Sequence, residues 1–519
     1  MSYLHYLPMI RRTTAVLFCL MILLTKQGLA QHGPVLPLDD SALWHTNALL
    51  ARGYLGSLEA GSFPVAESEY LDALQQITSG DFVVNSIVNG SVSRLASQNE
   101  ASKTNFGMRI RPSLTMATQE GADFLHPEPD YVSVFYSMVS YESWFTAGGF
   151  TAAWGWRHDR YYDRDPDGLD SAHRWAIRPE NAYVSYQGAY GNIRLGRVRQ
   201  HWGGYEQPGL VLSDNPRPMD HISYQIGTPR LHVSSSLSEL DSITSDGRFS
   251  GTAGDDSVSV GSERRYLASH RLTIAKPGAW SIGLMHSILY SGSNSGFSLK
   301  FANPFQLAIL SVDEKPKNDE NNGLIGAFVQ INRPNTLIQA QLALDDIDIL
   351  NGREPASIAG TLHVYRANLF SRTDLSLGST LVTARAYNAD QPEGKYIYLN
   401  RGIATQFSDF VSGFIELPIF LSREAVLTPR LDLLFQGEGD IRKPFPGHED
   451  VPTIFEGVVE RTLRFSLQGK VRFSNLFDMY ASVGMNTVSN QGHEDGKNGH
   501  FISGMLSVSY RKMWSGKFN

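Results

Sequence analysis

The sequence predicts an all-β fold: one large antiparallel transmembrane β-barrel of some fifteen to twenty strands, preceded by a short N-terminal helical segment. Three observations predict it. The chain has 519 residues of nearly uniform composition and no linker, whereas ordinary domains hold about 100–200 residues. From Phe106 onward apolar and polar residues alternate with period two, the signature of strands with two chemically distinct faces. Past the N-terminus no segment reaches 18 consecutive apolar residues, so helices do not span a bilayer here, and lipid leaves closed barrels as the other way to pair every backbone group. A mean hydropathy of −0.22 fits this reading, because half of each barrel strand is polar.

Residues 1–30 read as a signal peptide. Arg11 and Arg12 precede the apolar run from Thr13 to Leu24, and Gly28-Leu29-Ala30 supplies small residues at the −3 and −1 positions of a cleavage site. The apolar core is shorter than the roughly 20 residues of a membrane anchor. Removal takes away three cations and no anions, leaving 42 against 52 and a net charge of −10 in place of −7. It also removes Cys19, the sole cysteine, which Phe18 disqualifies as a lipidation site. A thiol-free mature chain suits an oxidising compartment, and Sec-type export to the outer membrane of a Gram-negative cell is the expected destination.

Residues 31–95 form the helical segment. Leu43, Ala48, Leu49 and Leu50 recur near helical spacing until Gly53 stops them. After Pro64, the residues Tyr70, Leu71, Leu74 and Ile77 share one face, giving a second short amphipathic helix. The barrel occupies 96–519. Its clearest strand runs from Thr462 to Phe473, where Leu463, Phe465, Leu467, Val471 and Phe473 alternate with Arg464, Ser466, Gln468, Lys470 and Arg472. Similar runs cover Tyr131 to Tyr141, Thr336 to Asp346, Asp409 to Leu417 and Phe501 to Lys512. Apolar residues should face lipid, with Tyr131, Tyr141, Trp144, Tyr510 and Trp514 available for interfacial girdles. Outer-membrane lipid and the barrel-assembly machinery are then the expected partners.

The balance of 45 cations to 52 anions contains no basic block, which argues against nucleic acid. Nucleophile and metal motifs are missing: Gly292-Ser293-Asn294-Ser295-Gly296 has Asn where an elbow needs Ser, and there is no HExxH or cysteine cluster. The expectation is a protein without catalysis and without a cofactor. The nearest metal signal is Asp163, Asp165 and Asp167 followed by Gly168, the start of a calcium loop that fails at its twelfth position, Arg174. It reads as a weak calcium candidate or as a solvated acidic loop tip.

A second cluster holds Arg194, Arg197, Arg199, His201, Trp202 and Tyr205, followed by Asp214, Asn215, Arg217 and Asp220. Aromatic faces stack on sugar C–H surfaces, and planar polar side chains give paired hydrogen bonds to hydroxyls. Arg197, Arg199, Trp202, Asn215, Arg217 and Asp220 therefore make a candidate glycan site, the arginines favouring an acidic glycan. The alternative is that the arginines line the lumen and pair with carboxylates of facing strands. Arg464, Lys470 and Arg472 suggest instead a cationic ladder in a porin for anionic solutes.

Three stretches in this region, Pro179-Glu180-Asn181-Ala182-Tyr183-Val184-Ser185, Gly196-Arg197-Val198-Arg199-Gln200-His201-Trp202-Gly203 and Leu212-Ser213-Asp214-Asn215-Pro216-Arg217-Pro218, resemble the central signature of the Wzi-type capsule assembly proteins. Tyr266-Leu267-Ala268-Ser269-His270-Arg271-Leu272, Asn303-Pro304-Phe305, Asn318-Asp319-Glu320-Asn321-Asn322 and Leu344-Asp345-Asp346 follow in the same order, and Leu49-Leu50-Ala51-Arg52-Gly53-Tyr54-Leu55 resembles the family's helical segment. The resemblance runs from about residue 38 to 350. It implies a barrel of about 18 strands, plugged by extracellular loops and by helices at the periplasmic end, that holds capsular or related surface polysaccharide as a lectin without chemistry. It adds Asn303 and Asp319 to the candidate glycan residues, with Asp345 and Asp346 inside the barrel fixing loops or sugar. A hydrogen-bonded turn is the plainer reading of that last pair.

Overall fold

The computed structural model describes residues 33–59, 61–95, 104–128, 134–163, 165, 176–243, 264–292, 296–305, 321–346, 356–389, 391–443 and 452–517. Its strands are β1 (Thr104–Ala117), β2 (Val134–Ala147), β3 (Phe150–Asp159), β4 (Ile177–Gly188), β5 (Gly191–Arg197), β6 (Asp220–Thr228), β7 (Leu231–Glu239), β8 (Arg264–Lys276) and β9 (Trp280–Gly292). They continue with β10 (Asn321–Arg333), β11 (Thr336–Asp346), β12 (Ser357–Phe370), β13 (Thr373–Val382), β14 (Phe410–Glu416, continued by Ile419–Phe420), β15 (Ala425–Gln436), β16 (Glu460–Arg472), β17 (Phe477–Ser489) and β18 (Asn498–Tyr510, continued by Lys512–Lys517). Each pairs antiparallel with its neighbours in sequence. The last strand returns to the first, Ser113 opposite Ser509 and Asn105 opposite Lys517, and closes an eighteen-stranded barrel. Short turns at one rim and long connections at the other mark the periplasmic and extracellular ends.

Burial is inverted relative to a soluble sheet. On β16 the apolar residues Leu463, Phe465 and Leu467 are exposed, Phe465 by 59%, whereas Thr462, Arg464 and Ser466 are buried. The apolar face can lie outside only if it meets lipid. Outward aromatics include Phe135, Trp154, Trp280 and Trp514. Trp144 corrects the expected girdle: it points into the lumen, buried against Val35, Ala153 and Tyr183. Tyr131 lies outside the described residues.

The lumen is filled from both ends. From the periplasmic rim enter α1 (Thr46–Ala51), α2 (Glu67–Gln75) and α3 (Phe82–Leu95). Gly53, with φ of +85°, ends α1 as the sequence predicts. The sequence reading of two helices omits α3, the longest. Its Asn85 and Gly90 weaken intrinsic propensity, and it is held by an N-cap from Asp81 to the Val83 and Val84 amides at 2.7 and 3.3 Å and by burial of Val83, Val84, Ile87, Val88 and Leu95. From the extracellular side the segment 198–219 folds inward, and 383–409 packs on it. Tyr387 and Tyr396 donate their hydroxyls to the carbonyls of Leu210 and Val211 at 2.9 and 2.7 Å. The two plugs join in the barrel as a two-residue ladder, Phe63 N–H to His201 O at 2.9 Å and His201 N–H to Phe63 O at 3.0 Å.

Charge fixes the periplasmic plug. Asp40 accepts from Arg94 Nε at 3.1 Å and from Arg511 Nη1 at 3.0 Å. Glu67 accepts from Arg511 Nη2 at 2.8 Å and Arg109 Nη1 at 3.1 Å. Arg94 also pairs with Asp478, and Arg109 with Glu142. Arg52 makes a bidentate pair with Asp374 at 2.7 and 2.8 Å. Burial alone would raise the Asp40 carboxyl, but the guanidinium groups of Arg511 and Arg94 hold it well below the usual carboxylate range. Arg511→Ala leaves Asp40 and Glu67 buried without a shared counter-charge, so it should cost about 3–5 kcal/mol, read as a lower unfolding temperature by heat-modifiable gel mobility. Because the folded Asp40 value is depressed, its stabilisation is present above the unfolded value of about 3.9 and lost as pH falls below it. The acid limb of the same assay should be shallower in Arg511→Ala than in the parent.

Candidate functional site

The extracellular ends of β3 to β6 converge on the first residues of the inward segment 198–219. β4 places Arg178 and Glu180 on one face, two residues apart, and the short 3-10 turn Arg160–Asp163 after β3 lays Tyr162 against them. Glu180 is the hub: it accepts from Tyr162 Oη at 2.9 Å, Arg178 Nε at 3.1 Å and Arg199 Nη2 at 3.3 Å. The Arg178 guanidinium stacks on the Tyr162 ring. Arg199 Nη1 donates to the Asp214 carbonyl at 3.2 Å, and His201 Nδ1 lies 3.1 Å from the Asp214 carboxylate. Burial would raise Asp214, but His201, with Arg199 behind it, holds it down at about 2.

The remaining expected residues fall into three groups. Arg197 and Asp220 face each other across β5 and β6 and form a bidentate ion pair, Nε to Oδ1 at 3.0 Å. Asn215 donates to Gly402 O at 2.7 Å and Gln406 Oε1 at 2.9 Å, pinning the second inward segment to the first. Trp202 departs from expectation: it is 5% exposed and packed in the core with Leu210, Leu212 and Phe328. Its ring is covered by protein and is not a surface stacking platform for sugar. Arg217 is half-buried in the loop and, among the described residues, pairs with no carboxylate. Burial lowers its value to about 10, with Arg178 adding like-charge repulsion.

Asp345 accepts the Tyr387 N–H at 2.6 Å, holding the segment 383–409, and Asp346 ends β11 opposite Ser357 at an irregularity in register. Asn303 is exposed and caps its own turn by accepting from Phe305 N–H at 3.1 Å. Asp319 and Asp167 lie outside the described residues. Of the calcium candidates, Asp163 ends the 3-10 turn, and Asp165 pairs with Arg401 and accepts from Tyr161 Oη at 3.3 Å. A guanidinium thus stands against that carboxylate. Glu180, Arg178, Tyr162 and Arg401 were not among the expected site residues. Glu180 stands inside a quoted motif, whereas Arg401 reaches Asp165 only through the fold.

The lumenal cations of β16 are engaged. Arg464 Nη1 donates to Asn486 Oδ1 at 2.5 Å and Ser503 Oγ at 2.6 Å, Lys470 pairs with Glu206 at 2.9 Å, and Arg472 with Asp478 at 3.4 Å. They are a structural lining, not a free ladder for anions.

On the outer wall the fold brings together one arrangement that the sequence spacing did not suggest. Arg271 and Leu267 point inward, so their neighbour His270 points outward, where its Nδ1 lies 2.7 Å from Ser235 Oγ on the facing strand. Its Nε2 lies 2.7 Å from the Phe301 carbonyl. The segment 296–305, containing α4 (Leu299–Ala302), therefore lies across the outside of the wall. Tyr224 Oη donates to Ala302 O at 3.0 Å, and the Tyr290 ring packs against Phe301 with centroids 4.5 Å apart and the planes tilted by 38°. Leu299 and Phe305 are left 80% and 79% exposed. Among the described residues no carboxylate touches His270, and the pair is buried beneath the segment.

Comparison with known proteins agrees with this architecture. The family model for the capsule assembly protein Wzi matches residues 88–328. Among solved structures, Wzi of Escherichia coli, an outer-membrane protein involved in group 1 capsule assembly and described as a carbohydrate-binding β-barrel, superposes with a TM-score of 0.61 at 12% identity, covering 93% of this chain and 99% of its own. The outer-membrane protein OpdK of Pseudomonas aeruginosa gives 0.43 at 12% identity, over 79% of this chain and 99% of its own. The channel DcaP of Acinetobacter baumannii gives 0.39 at 11%, over 79% and 97%. No curated protein matches in sequence. This chain is thus similar to the capsule assembly protein Wzi in sequence over residues 88–328 and in fold over 93% of its length.

Proposed function

We propose that the protein is a non-catalytic outer-membrane lectin that binds acidic surface polysaccharide at its extracellular face and aids its attachment or assembly. One observation carries the site: among the described residues Arg217 is a guanidinium without a carboxylate partner, beside a cluster in which Arg178, Arg197, Arg199 and Arg401 each have one. A carboxylate on the glycan would supply the missing partner, and Glu180 and Asp214 keep the surrounding cations in place. The double plug supports a binding role over a channel. The outward Trp514 on the closing strand supports insertion through the barrel-assembly machinery.

Arg217→Ala removes a charge-assisted contact worth about 1.5–3 kcal/mol, so binding of acidic polysaccharide to the detergent-folded barrel on a glycan array should fall by roughly tenfold or more, with heat-modifiability unchanged. Surface polysaccharide retention should fall in parallel, and undiminished binding and retention would overturn the assignment. Trp202→Ala, in contrast, should lower barrel stability by about 3–5 kcal/mol. In planar bilayers the protein should be nearly closed, and clear single-channel conductance without glycan binding would replace this reading with a porin for anionic solutes.

A further inference from the structure

A cavity of about 310 Å³ lies between the residues that precede α2 and the inner wall of β4 to β10. The turns at 188–191, 227–229 and 276–279 line it, so it opens toward the periplasmic rim, at the opposite end of the barrel from the cluster around Glu180. Its walls carry an unusual concentration of polar atoms that the protein leaves unsatisfied. Among the described residues, Arg194 Nε on β5, Ser234 Oγ on β7, Thr273 Oγ1 on β8 and Ser281 Oγ on β9 are all buried without a hydrogen-bond partner, and all four residues line this cavity. Buried polar groups are nearly always paired, with protein or with something bound. Arg194 has the Tyr183 ring 5.4 Å from its guanidinium carbon and, among the described residues, no carboxylate pairs with it.

Two acids border the same space and neither neutralises Arg194. Glu59 is taken by His232 Nε2 at 2.9 Å. Glu69, on α2, is pushed up to about 7 by burial, with Glu59 and Asp72 adding repulsion, so near neutral pH it can donate as well as accept a hydrogen bond. The volume sits at the small end of ligand sites, which run from about 300 to 1,000 Å³, and suits one sugar ring rather than an oligosaccharide. One fixed cation, three unsatisfied hydroxyls and a carboxyl able to donate are complementary to a small polyhydroxylated anion.

We propose that this cavity is a second, periplasm-facing binding site for a single carboxylated sugar unit, with the carboxylate on Arg194 and the ring hydroxyls on Ser234, Thr273, Ser281 and Glu69. It does not depend on the extracellular site. The test is isothermal titration of the full mature barrel in detergent with D-glucuronate, D-glucose and inorganic phosphate. Glucuronate should bind the parent at least tenfold more tightly than glucose or phosphate, and Arg194→Gln should abolish that preference. Ser234→Ala with Ser281→Ala should weaken glucuronate severalfold, which keeps the proposal testable if the arginine variant folds poorly by gel mobility. In Arg217→Ala the Arg194-dependent part of glucuronate binding should persist while acidic polysaccharide binding on the array falls, so that loss of the outer site and loss of this one are told apart. No glucuronate binding, equal affinity for glucose, or phosphate binding as tight as glucuronate would overturn the proposal, the last by reducing the cavity to a simple anion site.

Discussion

Asp40 and Glu67 hold the plug to the wall, and the rest of the interior follows from that attachment. Both are buried in the N-terminal segment, and both share Arg511, which projects inward where the last strand breaks between Tyr510 and Lys512. Arg109 and Arg94 carry the same network to the first strand, to Glu142 and to Asp478. Taking such charges out of water is costly, and a buried pair is weak grounds for stability in itself. Its value here is geometric. The helical segment also rests on an apolar patch of the wall, Leu337, Tyr365, Ala367, Phe420 and Val426, but apolar contact is non-directional, whereas guanidinium-carboxylate forks accept little displacement. Once the segment is fixed, Phe63 stands where it can pair with His201, and the inward fold of 198–219 has a partner to end on. The extracellular cluster therefore rests, through Arg199 and His201, on contacts that begin at the opposite rim.

The legible part of the fold was the part governed by strict periodicity. β11 spans Thr336–Asp346, the same residues that alternation marks in the sequence, and β16 begins within two residues of its expected start. A strand between lipid and a polar lumen has both faces specified chemically, so register is written residue by residue. The helix α3 shows where this fails. Its buried residues do follow a helical face, but Gly90 and Asn85 interrupt the local signal, and it exists because packing in the plug overrides propensity. Trp144 fails for a related reason, since an aromatic on a barrel strand is consistent with either face until the neighbours are known.

The site was legible as chemistry and only partly as geometry. The arginine-rich stretch from 194 to 217 does lie at a strand end, and Arg197 and Asp220 meet across one register step. Trp202 shares that stretch yet belongs to the core, because the chain turns inward at Gln200 and carries it below the surface. Asp165 and Arg401, or Asn215 and the Gly402 carbonyl, are joined by a fold in which 383–409 lies on 198–219. No spacing encodes such a contact. The plainer reading, that lumenal arginines pair with facing carboxylates, is met at Arg197 and Arg199 and leaves Arg217 as the distinctive group.

The outer wall carries the same constraint into lipid. A chain segment laid against a barrel inside a membrane brings carbonyls that water cannot reach, and each one left bare is costly. Ser235, His270 and Tyr224 stand on a face that elsewhere carries Ile226, Leu272, Ile274 and Leu284. Polar residues there would be a liability unless something used them. His270 meets the Phe301 carbonyl and Tyr224 meets that of Ala302, while Ser235 satisfies the other nitrogen of His270. With its backbone anchored in this way, the segment can turn Leu299 and Phe305 outward. A serine-histidine pair on a lipid-facing wall invites a hydrolytic reading, but the neighbouring carbonyls give it a structural occupation, and the segment above it withholds the serine from any substrate in the bilayer. The polar ladder is thus explained by the peptide it supports, and chemistry is not needed to account for it.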